Sequence, residues 1–184
     1  MTDMIFASKP YTELYSFRRA EMVFLATFTF VERFLSAGDR TCDQMIQAAR
    51  SGKQNIAEGA MASAGSKHSE LFLTNVALAS LAELHEDYLD YLKTRKLRIW
   101  SKDSREALFV RDLCRRENAS YDLYRNFIET RSDEVVANII ITLICQTKTL
   151  LQRQIAALEK KFLKEGGVKE QMFARRMAER NKNQ

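Results

Sequence analysis

Residues 48–59 read Ala48-Ala49-Arg50-Ser51-Gly52-Lys53-Gln54-Asn55-Ile56-Ala57-Glu58-Gly59. Ala49, Gly52, Ile56 and Gly59 recur at steps of three and four residues, which places them on one face of a helix. Most of that face is small. A glycine inside a helix costs on the order of 1 kcal/mol relative to alanine. Close approach of a neighbouring backbone is what offsets two of them, so the stretch predicts a helix packed tightly against another element.

Outward from this stretch, the second helix spans about 41–62, with Asp39 or Thr41 as its cap. A short connection, Ala62-Ser63-Ala64-Gly65-Ser66, leads to a third helix capped by Ser66 or Ser69 and running to about Lys96. Leu71, Leu78, Leu81, Tyr88 and Leu92 form its core stripe, with Phe72, Val76, Ala79 and Leu89 beside it. A stripe this wide meets two neighbours. The first helix is expected from about Pro10 to Ala37, since proline suits a first-turn position. Phe17, Ala20, Phe24, Phe28, Val31 and Leu35 lie on one face, widened by Phe30 and Phe34, and Gly38 ends the helix through a left-handed cap.

Asp133 is expected to cap the last long helix, about 134–165. Its seam is Val136, Ile140, Leu143, Leu151, Ile155, Leu158 and Phe162, and Gly166-Gly167 ends it. Between residues 97 and 132 the pattern predicts one or two shorter helices. Ser101 or Ser104 can cap a segment carrying Ala107, Val110 and Cys114; Tyr121, Tyr124 and Ile128 continue the spacing, and Asn118-Ala119-Ser120 is where it can break. The expected fold is all-α: an antiparallel four-helix bundle, packed at about 20°, with an additional short helix or helices between the third and fourth long ones. Residues 1–167 form the bundle domain and 168–184 a basic tail. Six Gly and one Pro in 184 residues agree with long helices, whereas an all-β chain needs more turn residues.

Hydrophobic residues make up 46% and charged residues 29%, as in a soluble chain with a core. The start, Met1-Thr2-Asp3-Met4-Ile5-Phe6, lacks the form of a signal peptide. The apolar stretches Met22–Val31 and Val135–Cys145 are shorter than the roughly 20 residues that span a bilayer, so both are expected to be core helix with no membrane role. Cys42, Cys114 and Cys145 follow neither a disulfide framework nor a zinc spacing, which favours a reducing cytoplasm.

Net charge is +5, unevenly placed: ten cationic residues face four anionic ones after residue 147. Lys160, Lys161 and Lys164 fall within about one helical turn, and Lys169, Arg175, Arg176 and Arg180 can prolong a basic stripe. Such asymmetry points to an anionic partner, and these seven residues are the candidate nucleic-acid contacts. No groove-reading motif accompanies them, so recognition is expected at the phosphate backbone. The plainer alternative is a solvated helix end that complements the helix dipole.

Catalytic patterns are lacking in the sequence. His68 and His85 lie 17 positions apart, and Gly65 and Ala82 stand three residues before them where a di-iron bundle has glutamate. His85 continues the third-helix stripe and reads as a satisfied bundle histidine. No Ser/His/Asp or Cys/His arrangement and no phosphate-cradling glycine loop is evident. We therefore expect no enzyme activity, no cofactor and no metal. Arg50, Asn55 and Glu58 on the second helix, with Asn75, Ser80 and Glu83 on the third, are expected to form a buried hydrogen-bond network that fixes register; a ligand site is the alternative.

Arg40-Thr41, Asp43-Gln44-Met45 and the run from Gln47 to Gly59 resemble the signature of the bacterial four helix bundle protein family, which includes proteins encoded by intervening sequences in 23S ribosomal RNA genes. Thr74-Asn75-Val76-Ala77, Ser80-Leu81 and Glu83-Leu84 resemble its second motif. Ile99-Trp100, Arg153-Gln154, Leu158-Glu159 and Phe162-Leu163-Lys164-Glu165-Gly166-Gly167 resemble the start and end of the extra C-terminal signature of its longer branch, the four helix bundle suffix proteins. Short members have a tighter link where this chain has residues 97–132. The resemblance implies a homopentameric ring without known enzymatic activity. A related branch, the accessory variability protein of diversity-generating retroelements, works with a reverse transcriptase and binds nucleic acid. The functional expectation is thus an oligomeric, nucleic-acid-binding accessory, with a protein–protein interaction scaffold as the alternative.

Overall fold

The computed structural model describes residues 10–36, 38–165, 173 and 176–181. The chain is all-α: among the described residues there is no strand. After a single 3-10 turn (Tyr11–Glu13) come α1 (Tyr15–Phe34), α2 (Arg40–Ala62), α3 (Lys67–Thr94), α4 (Arg105–Arg115), α5 (Asp122–Thr130) and α6 (Asp133–Glu165).

Three starts obey local chemistry legible in the sequence. The Asp39 carboxylate accepts the Thr41 N–H at 2.9 Å, the Ser66 hydroxyl accepts the Ser69 N–H at 3.1 Å, and the Ser104 hydroxyl accepts the Ala107 N–H at 3.2 Å. Each satisfies one of the orphan donors of a helix start. The first helix is shorter than its pattern predicts. Leu14 is extended (φ −67°, ψ 126°), which separates the Pro10 turn from α1, and Leu35 is extended at the other end. Gly38 does take a left-handed φ of +96°, but within the link to α2 rather than as the cap of α1. Asp133 is the first residue of α6 rather than its cap, and its carboxylate accepts the Tyr91 hydroxyl at 2.9 Å.

Each of the four long helices packs on two others: α1 on α2 and α6, and α3 on α2 and α6. Neighbours run in opposite senses. Ser16, at the start of α1, donates to Gln154 near the end of α6 at 2.9 Å, and Tyr91, near the end of α3, meets Asp133 at the start of α6. Gly52 and Gly59 of α2 face Leu81 and Thr74 of α3 in descending order. Between these helices lies one core. Phe30, Leu81, Leu84, Tyr88, Leu92, Ile140, Leu143 and Ile144 are fully buried in it. Burial of each such side chain contributes about 1.5–3 kcal/mol before entropy is counted. Phe30 packs edge-on to Tyr88 and Tyr91 with ring centres 5.0 and 4.9 Å apart. Phe28, expected on the core face, is 43% exposed, because Val23, Ala26, Thr27 and Phe30 carry that face instead.

α6 is the one described helix long and apolar enough to cross a bilayer, over Asp133–Lys164; half of its most apolar window is buried in the bundle. Its last buried residue is Leu151; from Gln152 to Lys164 every residue is exposed or half-exposed. Leu158 and Phe162, expected in the seam, are half-exposed there.

The segment 97–132 forms two short helices. α4 packs on α6 and α5 packs on α1. Tyr124 of α5 is buried and donates to the Val110 carbonyl of α4 at 3.1 Å. Arg33 of α1 donates to the carbonyls of Ile128 and Arg131 at the end of α5, the helix end where a cation is favoured. Asn138 of α6, 1% exposed, accepts the Trp100 N–H and donates to the Arg98 carbonyl, both at 2.8 Å. That clamp fixes the strand-like link on which Trp100 sits.

Candidate nucleic-acid interface

The small-residue face of α2 meets α3 at close range. A Cβ built on Gly52 would lie 2.8 Å from Cγ and Cδ2 of the buried Leu81. One on Gly59 would lie 3.3 Å from the Glu70 carbonyl oxygen and the Leu73 Cβ. The polar groups of this seam are fewer than the sequence suggests. Ser51 Oγ lies 2.9 Å from Ser80 Oγ, and Asn55 Nδ2 donates to Ser51 Oγ at 3.0 Å and to the Ser51 carbonyl at 2.9 Å. Asn55 and Ser80 are thus joined, through Ser51. Arg50, Glu58 and Glu83 are exposed and make no hydrogen bond or ion pair with a described residue. The physical reason is their helical phase: they flank the seam rather than line it. Asn75 is likewise exposed and bonds only to the Leu71 carbonyl of its own helix.

Of the predicted cationic residues, Lys160, Lys161 and Lys164 are exposed on the last turns of α6. Residues 176–181 are helical, and Arg176 and Arg180, one turn apart, are exposed on them. Lys169 and Arg175 lie outside the described residues, as does Met172. Phe173 and Met177 are 67% and 43% exposed. On α6, Arg153, Lys160 and Lys164 stand at steps of seven and four, so they share a face. At 1.5 Å per residue they span about 16 Å.

The same face of α6, continued toward its N-terminus through Gln146, enters a groove bounded by α3 and α4. Arg19, Lys102, Arg111, Arg115 and Arg153 line this groove, and no carboxylate of a described residue does. None of the first four belongs to the C-terminal basic segment. They come from α1, from the 97–104 link and from α4, and only tertiary packing brings them together. Arg111 is held by a hydrogen bond to the Lys102 carbonyl, and Arg19 by one to the Cys114 sulfur. Burial lowers the pKa of Arg19 from its ordinary value, with Arg18 adding to the fall.

One pairing in this groove went unseen in the sequence. His85 Nε2 lies 3.6 Å from Cys145 Sγ, 60 residues away, and His85 Nδ1 lies 3.3 Å from Glu86 Oε1. A thiol beside an imidazole is the arrangement of a cysteine nucleophile. Two features oppose that chemistry. Burial pushes the Cys145 thiol up, and Lys148 and Arg111 only partly offset it; the nucleophile is the thiolate. Both residues also lie mid-helix, where backbone N–H groups are committed to the helix and none is free to hold an oxyanion. Among the described residues no three His, Cys, Asp or Glu side chains converge as metal ligands would. Comparison with family models, with curated proteins and with solved structures found no match.

Proposed function

We propose that the chain is a non-enzymatic nucleic-acid-binding protein that holds the phosphate backbone along the C-terminal end of α6 and the basic tail. The observation that carries this reading is the placement of charge: Arg153, Lys160, Lys161 and Lys164 lie exposed where α6 has left the core. A stripe about 16 Å long can face about five phosphates of one duplex strand, at 3.4 Å of helix axis each. Lysine and arginine on an exposed helix supply point charges without base recognition, so affinity comes from counterion release and sequence preference is weak.

The family resemblance adds to this proposal a homopentamer and a reverse-transcriptase partner, and the cysteine pattern adds a cytoplasmic setting. Leu25 and Phe28 on α1 and Phe72 on α3, 39%, 43% and 59% exposed, support self-association by leaving apolar surface outside the bundle. In a ring, one stripe per subunit would act as a multivalent rim. The test is binding of RNA and DNA by the parent and by a variant with Arg175, Arg176 and Arg180 changed to Ala, with light scattering of the free protein. Weaker binding with an unchanged melt supports the proposal. Equal binding, or none by the parent at low salt, leaves the tail a solvated helix end and favours a protein-interaction scaffold. A 21.3 kDa particle at micromolar concentration would remove the oligomer.

A further inference from the structure

The groove between α3, α4 and α6 differs in kind from the exposed end of α6. It encloses about 630 Å³, inside the range of about 300–1,000 Å³ typical of small-molecule sites. A double helix does not enter such a space, whereas one nucleotide unit does. Five cationic groups converge on it, without a carboxylate from any described residue among its lining. Like charges gathered on a concave surface repel one another and focus a positive potential. Two of them, Arg19 and Arg111, are oriented by neutral acceptors. The side chains of Lys102, Arg115 and Arg153 make no hydrogen bond or ion pair with any described residue. Their charge is therefore uncompensated within the described part of the molecule.

The rest of the lining has a different character. Leu89, Trp100, Ile141 and Leu150 give it an apolar, partly aromatic wall. Gln146 lines it too, and its Oε1 is shielded from solvent with no hydrogen-bond partner. The complementary ligand carries several negative charges at one end and a flat apolar body. The link that carries Trp100 is fixed by Asn138, so one wall of the site is preorganised.

We propose that this groove binds a phosphorylated nucleotide unit, with its phosphates among Lys102, Arg111 and Arg115 and its base against Trp100. The unit has two sources, a free nucleoside polyphosphate or the 5′-phosphorylated end of a single strand. The site shares only Arg153 with the backbone contacts along the α6 end; its other four cations lie outside the C-terminal basic segment.

Trp100 is the only tryptophan of the chain, so its emission reports on this part of the molecule. The parent is titrated at low ionic strength with ATP, with inorganic triphosphate, and with a short single strand bearing either a 5′-phosphate or a 5′-hydroxyl. We expect a saturable change with ATP, tighter than with triphosphate alone, or a preference for the 5′-phosphate strand over its 5′-hydroxyl twin. The first result assigns a free nucleotide and the second a strand end. The double variant Lys102→Gln/Arg115→Gln should weaken binding by about tenfold or more, because two charge-assisted contacts are lost. Both side chains are exposed, so its melt should match the parent; Arg153→Gln is the second variant should the first melt differently. The Arg175, Arg176 and Arg180 variant should titrate as the parent does, which separates this site from the basic tail. Absence of a saturable change with every ligand, or equal affinity in the groove variants, overturns the proposal.

Discussion

The seam between α2 and α3 and the groove between α3, α4 and α6 share one helix and are built on opposite rules. At the seam, glycine removes the side chain so that two helices close until a single Cβ would not fit. At the groove, long cationic side chains hold the walls of an open space of about 630 Å³. The seam converts small residues into contact, and its few hydroxyl and amide groups pair with one another. The groove leaves charge uncompensated and an amide oxygen without a partner. A closed seam is what stability requires. An open groove with unmatched charge adds nothing to stability and is the form a binding site takes.

If that contrast holds, substitutions at the seam should move stability and substitutions at the groove should move binding. The largest effect is expected at Leu81, fully buried against Gly52. Leu81→Ala should cost about 2–5 kcal/mol. Gly52→Ala should also destabilise, because the fully buried Leu81 must shift to admit the Cβ, although the helix itself gains about 1 kcal/mol from the change. The two should be coupled, with the double variant losing less than the sum, since the smaller residue at 81 admits the Cβ at 52. Urea denaturation of the four proteins measures this, and strict additivity would break the close-contact account.

Next comes Gly59→Leu, where the obstacles are the backbone oxygen of Glu70 and the Cβ of Leu73. Overpacking there should cost about 1–3 kcal/mol, read as a lower melting temperature. An unchanged melt would mean that the helices part freely at this end. Ser51→Ala should be milder, about 1 kcal/mol, because the Ser51 hydroxyl joins Asn55 and Ser80 at a half-buried position. A neutral result would reduce that chain of bonds to a surface feature.

These effects show which parts of the molecule a linear pattern can reveal. The seam was legible because Ala49, Gly52, Ile56 and Gly59 lie on one helix, and their spacing alone states which way they face. Helix starts at Asp39, Ser66 and Ser104 were legible for the same reason: a cap involves residues two or three positions apart. Burial of particular residues was harder to place. Phe28 and Phe30 fit a helical stripe equally well, and only the position of Tyr88 and Tyr91 on another helix decides that Phe30 goes inside. The groove lay beyond reach altogether. Arg19, Lys102, Arg111, Arg115 and Arg153 form no motif, and the His85–Cys145 pair joins helices 60 positions apart in sequence. Convergence across elements leaves no periodic trace within any one of them.

At the groove itself, Lys102→Gln/Arg115→Gln should change stability by less than about 0.5 kcal/mol, as for exposed residues without partners. This is the smallest expected effect on folding. A marked gain in stability would instead show that mutual repulsion of these cations is large, which would sharpen the case for an anionic ligand.

The most direct test of the nucleic-acid proposal is the salt dependence of binding. The observed association constant of the parent for RNA and for duplex DNA is measured across a range of salt concentrations and compared with that of a Lys160→Gln/Lys164→Gln variant. We predict a steep linear decline of log K with log salt for the parent, and a slope flatter by about 1 for each lysine that meets a phosphate. No binding by the parent at low salt, or identical slopes for the two proteins, would contradict the account.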